Sequence, residues 1–181
     1  MKGLCVRSAM VIALGLAAAG CAGTSDVEYS ALPHVSGDRS RVEMPSTPVE
    51  CVPYARNRSG VTLYGDAGSW WVKAEGRYVR RANPKTGSVM VLTGYAGPGR
   101  GHVAVVTELV SRREVMLDHA NWLGDGAIYL DDPAVDVSPE NDWSEVRVWN
   151  TRAHSWGVRT YLVQGFIGPE AEARTARVAT N

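Results

Sequence analysis

The sequence is short of several things at once. It has a single Phe, three Cys and no excess charge of either sign, with 19 Lys plus Arg against 19 Asp plus Glu in 181 residues. The charge balance argues against a nucleic-acid binder, which normally carries a clustered basic surplus. Three cysteines are too few for a disulfide scaffold. The one uncharged apolar run, residues 10–19, is too short to cross a bilayer as a helix. What is present is a 45% apolar composition with six Trp and seven Tyr, enough to bury one core with many polar-tipped aromatics. Nineteen Gly and nine Pro spread along the chain predict many turns and therefore many short strands.

The N-terminus reads as an export signal over residues 1–20. Lys2 and Arg7 form a basic region, residues 10–19 an apolar one, and Ala18-Ala19-Gly20 place small residues just before Cys21. Cys21 is the expected lipidation site, although Ala18 stands where a lipobox usually has Leu. The expected location is the cell envelope, at the periplasmic face of an outer membrane as a lipoprotein, with secretion as the alternative. The membrane is then contacted only through the lipid. Residues 21–46 are polar, aperiodic and punctuated by Pro33, Gly37 and Pro45, which reads as a tether.

Cys5 leaves with the signal and Cys21 takes the lipid, so Cys51 is the lone thiol of the mature body. It is either a small buried hydrophobe or a nucleophile. Residues 49–56 look like the first turns of a helix, which places Cys51 near its N-terminus. There the dipole and unsatisfied N–H groups favour thiolate. Ala67, Trp70, Trp71 and Ala74 have helical spacing. From Ser88 the period changes to that of strands, at 88–93, 101–110, 114–120, 127–130, 145–149 and 160–164. Two helices followed by a run of strands is an α+β pattern. The domain is expected over 47–168, with a frayed tail at 169–181.

Strand parity places His102, Ala104 and Val106 on one face, and Val115, Leu117, His119 and Asn121 on another. Each His lies at the end of an apolar inward row, where it can meet whatever packs there, and the natural candidate is the helix carrying Cys51. A thiol, a His to take and return its proton and a third group to orient the ring are what thiol acyl transfer requires.

Four segments in this order resemble a known family. Glu50-Cys51-Val52-Pro53-Tyr54-Ala55 resembles a nucleophile helix, Gly65-Asp66-Ala67 with Trp70 a second helix, residues 87–91 the strand before the catalytic His, and Gly101-His102-Val103-Ala104-Val105-Val106 the His strand. The chain resembles the CHAP domain, the cysteine, histidine-dependent amidohydrolase/peptidase family of the papain-like superfamily. The resemblance implies an α+β fold in which N-terminal helices carrying the nucleophile pack on an antiparallel sheet or half-barrel. It also implies hydrolysis of peptidoglycan, at the N-acetylmuramoyl-L-alanine amide or at a stem or cross-bridge peptide bond.

The implied catalytic set is Cys51, His102, His119 and Asn121, with Asp118 a lesser candidate. Many relatives have Glu where His119 stands, and both His119 and Asn121 are open as the group that orients His102. Tyr54 and Trp122 are candidate substrate contacts. No metal or cofactor is expected, because the Asp-rich calcium loop of some relatives is missing and no zinc-type spacing occurs. A monomer acting on peptidoglycan is expected, with no nucleic-acid partner. The competing readings are a non-catalytic envelope protein that binds wall peptides or regulates another hydrolase, and a thiol amidase acting on a small amide.

Overall fold

The computed structural model describes residues 39–171. The expected export segment, Cys21, most of the expected tether and residues 172–181 lie outside them.

The described chain begins with a short strand, β1 (Arg41–Glu43). Helix α1 (Cys51–Ser59) follows, and then a 3₁₀ turn (Ala67–Ser69) runs straight into α2 (Trp70–Lys73). Eight strands come next: β2 (Tyr78–Arg81), β3 (Val89–Thr93), β4 (His102–Leu109), β5 (Glu114–Ala120), β6 (Ile128–Asp136), β7 (Glu145–Asn150), β8 (Ser155–Trp156) and β9 (Tyr161–Ala171).

Every pairing is antiparallel. Strands β3 to β6 form a meander; β6 pairs on with β7, β7 with β9, and β9 back with β3. Six strands therefore close on themselves as a barrel. Strand β1 is added to β6, β2 to β9 and β8 to β7. The α+β expectation holds only loosely. Strand outweighs helix among the described residues, and the sheet closes beyond a half-barrel because β6 and β9 both reach β7.

Both faces of the barrel wall are covered. Met90, Leu92, Ala104, Val106, Val115 and Leu117 point inward with Phe166 and Trp143. The alternate residues Val89, Val91, Val103 and Val105 point outward, under Ala55, Leu63 and Trp70. Burial on both sides is why these strands read as nearly unbroken apolar runs. A barrel of six strands is narrow enough for its own side chains to fill it.

Three boundaries differ from the sequence expectation. Residues 41–43 of the expected tether are a strand, held to β6 by its ladder and by an Arg41–Asp131 ion pair at 2.6 Å. Residues 169–171 of the expected tail continue β9, where Glu170 meets Lys85 and Arg81. Strand β6 runs on past Leu130 through Asp131, Asp132 and Pro133. Pro133 is tolerated because β1 pairs only as far as Leu130 and β7 only from Ala134, so the intervening residues face a partner strand on one side alone.

Candidate active site

Helix α1 starts at Cys51 itself. Glu50 is the extended N-cap residue, and the helix ends at Gly60, whose φ of 78° closes it with an N–H bond to Arg56 O. The approach to Cys51 is braced from the β5–β6 loop. Val49 N–H donates to Gly126 O at 3.0 Å, and Asn121 Nδ2 donates to Glu50 Oε2 at 2.8 Å. Asn121 Oδ1 meanwhile accepts from Gly126 N–H at 2.8 Å. The body of α1 packs on the outward face of β4, while the His102 row points inward. Only the first turn of the helix can therefore meet the histidine, around the end of the strand. Cys51 lies there, half-buried, beside the Val103 amide. No hydrogen bond among the described residues joins the thiol to His102 directly.

His102 and His119 are brought together inside the barrel mouth, each about 1% exposed. His102 Nε2 and His119 Nδ1 are 2.9 Å apart, and His119 Nε2 is 2.9 Å from Asp132 Oδ2. Thr151 Oγ1 donates to the other Asp132 oxygen at 2.6 Å. The group that meets His102 is thus His119, while Asn121 is spent on Glu50 and the loop. Asp118, of opposite parity, points outward and binds Arg58 Nε at 2.8 Å and the Asp131 N–H at 3.0 Å.

Asp132 is the member of this chain that sequence reasoning missed. Tyr129 and Ala134 both face the barrel interior although they are five apart, an odd spacing that regular alternation forbids. The phase slips at Asp131, whose φ is 49° and where the β5–β6 register shifts. This bulge turns Asp132 inward with Ala134, the re-aiming that bulges perform beside active sites. The only sequence signal was an Asp-Asp-Pro run, which reads as a turn.

Aromatic rings form the mouth. Tyr95 and Trp122 each lie 4.9 Å from the His102 ring, and Tyr161 packs on both. Trp122 is 5% exposed, so it is chiefly a wall of the histidine pair. Tyr54 lies elsewhere, one turn along α1 beside Arg58 and Asp118. The Gly-rich loop 94–101 is pinned at its base by Arg159, which donates to the Gly94 and Tyr95 carbonyls. A groove of about 200 Å3 runs past the thiol between Glu50, Cys51, Asp66 and Arg100.

The electrostatics correct one expectation. Cys51 is not held as a thiolate: burial pushes its thiol up, the Val103 amide works the other way, and the adjacent Glu50 carboxylate raises it further. Desolvation at a half-buried site outweighs the N-terminal field of a nine-residue helix. Burial likewise pushes His102 well below the usual imidazole range, with His119 adding to the effect. The resting pair is a neutral thiol and a neutral imidazole, a base ready to accept a proton when the sulfur attacks. Among the described residues, no group of three or more His, Cys, Asp or Glu is arranged to hold a metal ion.

Residues 42–121 match the family model of the CHAP domain. The chain carries a CHAP domain. The match runs from β1 to the end of β5 and includes Cys51, His102, His119 and Asn121. Asp132, on β6, and Thr151, just after β7, lie beyond it. Searches of curated proteins and of solved structures returned no match.

Proposed function

We propose that this CHAP domain is a thiol-dependent peptidoglycan hydrolase, cleaving the N-acetylmuramoyl-L-alanine amide or a stem or cross-bridge peptide bond. The observation that carries the reading is the buried His102–His119 pair at the mouth of the barrel. His119 occupies Nε2 of His102, which leaves Nδ1 as its one unengaged ring nitrogen at the strand end where Cys51 lies. As Cys51 Sγ attacks the substrate carbonyl carbon, its proton passes to His102 Nδ1. Collapse of the tetrahedral intermediate breaks the C–N bond, and His102 returns the proton to the departing amine. A water, deprotonated by the same nitrogen, then attacks the thioester, releasing a carboxylate and restoring the thiol.

The groove favours a polymer over a small amide. At about 200 Å3 it is below the roughly 300–1,000 Å3 of pockets that enclose small molecules. It suits a chain lying across it, with carboxylates at Glu50 and Asp66 and a guanidinium at Arg100 along its length. The export reading, with Cys21 as the lipid anchor, supports a substrate outside the cytoplasm.

The test is digestion of purified sacculi by the full chain, with mass spectrometry of the released fragments. New peptide or muropeptide ends that are lost in Cys51→Ala are expected, and they name the bond. Ends released equally by Cys51→Ala would contradict the nucleophile, and no release by wild type would contradict the activity.

A further inference from the structure

Asp132 is a fully buried carboxylate, and a buried carboxylate is costly unless both oxygens are matched by donors. Here Thr151 Oγ1 serves Oδ1, and His119 Nε2 lies opposite Oδ2. The bulge at Asp131 interrupts an otherwise regular strand and delivers this one side chain to the interior. These observations concern the part of the barrel outside the matched family segment.

We propose that Asp132 is the positioning residue that fixes the tautomers of both histidines and so aims the lone pair of His102 at the thiol side. The argument is one of donors and acceptors. A carboxylate only accepts, so the His119 nitrogen facing it, Nε2, carries the proton. His119 Nδ1 is then bare and accepts, so His102 Nε2 carries the proton that lies between the two rings. His102 Nδ1 is left bare, and it is the nitrogen that must take the proton of Cys51. When it does, the positive charge on His102 is balanced through His119 by the carboxylate two hydrogen bonds away.

Asparagine at 132 reverses every step. Thr151 still donates to the amide oxygen, which turns the Nδ2 hydrogens toward His119. His119 Nε2 must then accept, its Nδ1 carries the proton and donates to His102 Nε2, and the proton of His102 moves to Nδ1, facing the thiol. Stabilising the wrong tautomer behind a catalytic histidine costs about 10⁴-fold in kcat in the analogous aspartate-to-asparagine change.

The proposal rests on the hydrolase reading for its kinetic half only. The experiment combines long-range ¹H–¹⁵N spectra of the histidine rings in the full chain with kcat and KM on sacculi. Spectra are taken at about pH 8, above the ordinary imidazole pKa of about 6.5. Wild type is expected to carry protons on Nε2 of both rings. Asp132→Asn is expected to move both to Nδ1 and to lower kcat by about 10⁴-fold with little change in KM. Thr151→Val keeps the carboxylate and is expected to keep the wild-type tautomers. The wild-type spectrum needs no variant, and a proton on His102 Nδ1 there overturns the proposal. So do unchanged tautomers or unchanged kcat in a folded Asp132→Asn. Wild-type chain that shows the expected tautomers but releases nothing from sacculi contradicts the hydrolase reading and leaves this assignment standing.

Discussion

His119→Glu replaces the ring with a carboxylate, and in this chain it should be badly tolerated. The His119 ring touches Asp132 at 2.9 Å, and both side chains are buried. A glutamate there would place a second carboxylate within about 4 Å of the first. At an effective dielectric constant of about 20, two like charges at that separation repel by about 4 kcal/mol. The pair escapes by keeping one proton, which raises its titration above the roughly 4.3 of an unfolded Glu. The folded variant then binds more protons than the unfolded chain, so its stability falls as pH rises, by up to about 1.36 kcal/mol per pH unit. Urea unfolding of wild type and variant at pH 5 and pH 7 reads this directly. The stability gap should widen by roughly 2 kcal/mol between those two values. Adding Asp132→Asn should reduce the widening, because the repelling charge is gone and only the desolvation of the buried glutamate remains. A gap independent of pH in the single variant would refute the buried contact between positions 119 and 132.

Three further outcomes follow from the same geometry. Iodoacetamide should alkylate Cys51 with a pH midpoint above the roughly 8.5 of a free thiol, and Glu50→Gln should bring that midpoint down, as read by mass spectrometry of timed quenches. Arg58→Ala strips the buried Asp118 of its 2.8 Å charged partner at the α1–β5 contact and should cost about 1–3 kcal/mol in urea unfolding. Gly101→Ala would put a Cβ 2.5 Å from Gly68 Cα and 2.8 Å from Leu92 O, so the backbone beside His102 must shift. It should lose roughly 1–3 kcal/mol, together with the His102 ring signals of wild type in the ¹H–¹⁵N spectrum.

Much of the site was legible because it depends on parity. His102 and His119 each end an alternating apolar row, and both do face inward beside Ala104 and Leu117. Glu114–Ala120 was read with its observed bounds, since turns flank it on both sides. Parity also misled. The rows were expected to face the helix of Cys51, yet that helix covers the opposite face, and only its first turn comes round to the strand end. Closure of the barrel could not be read, because it depends on β7 reaching both β6 and β9 over a few residues. Asp132 was hidden for a different reason: a bulge breaks the period on which the reading relied, and the strand expected at 127–130 stopped short of it. The thiolate expectation considered the helix end and left out burial, which is a tertiary property.

The central claim is that Cys51 is acylated by a wall amide. Peptide-mapping mass spectrometry of full-length protein, acid-quenched during digestion of sacculi, tests it most directly. The account predicts a thioester on the peptide containing Cys51, carrying the acyl half of the cleaved bond, which hydroxylamine removes and Asp132→Asn accumulates more slowly. Fragments released from sacculi with Cys51 unmodified at every quench time, and equally by Cys51→Ala, would contradict it.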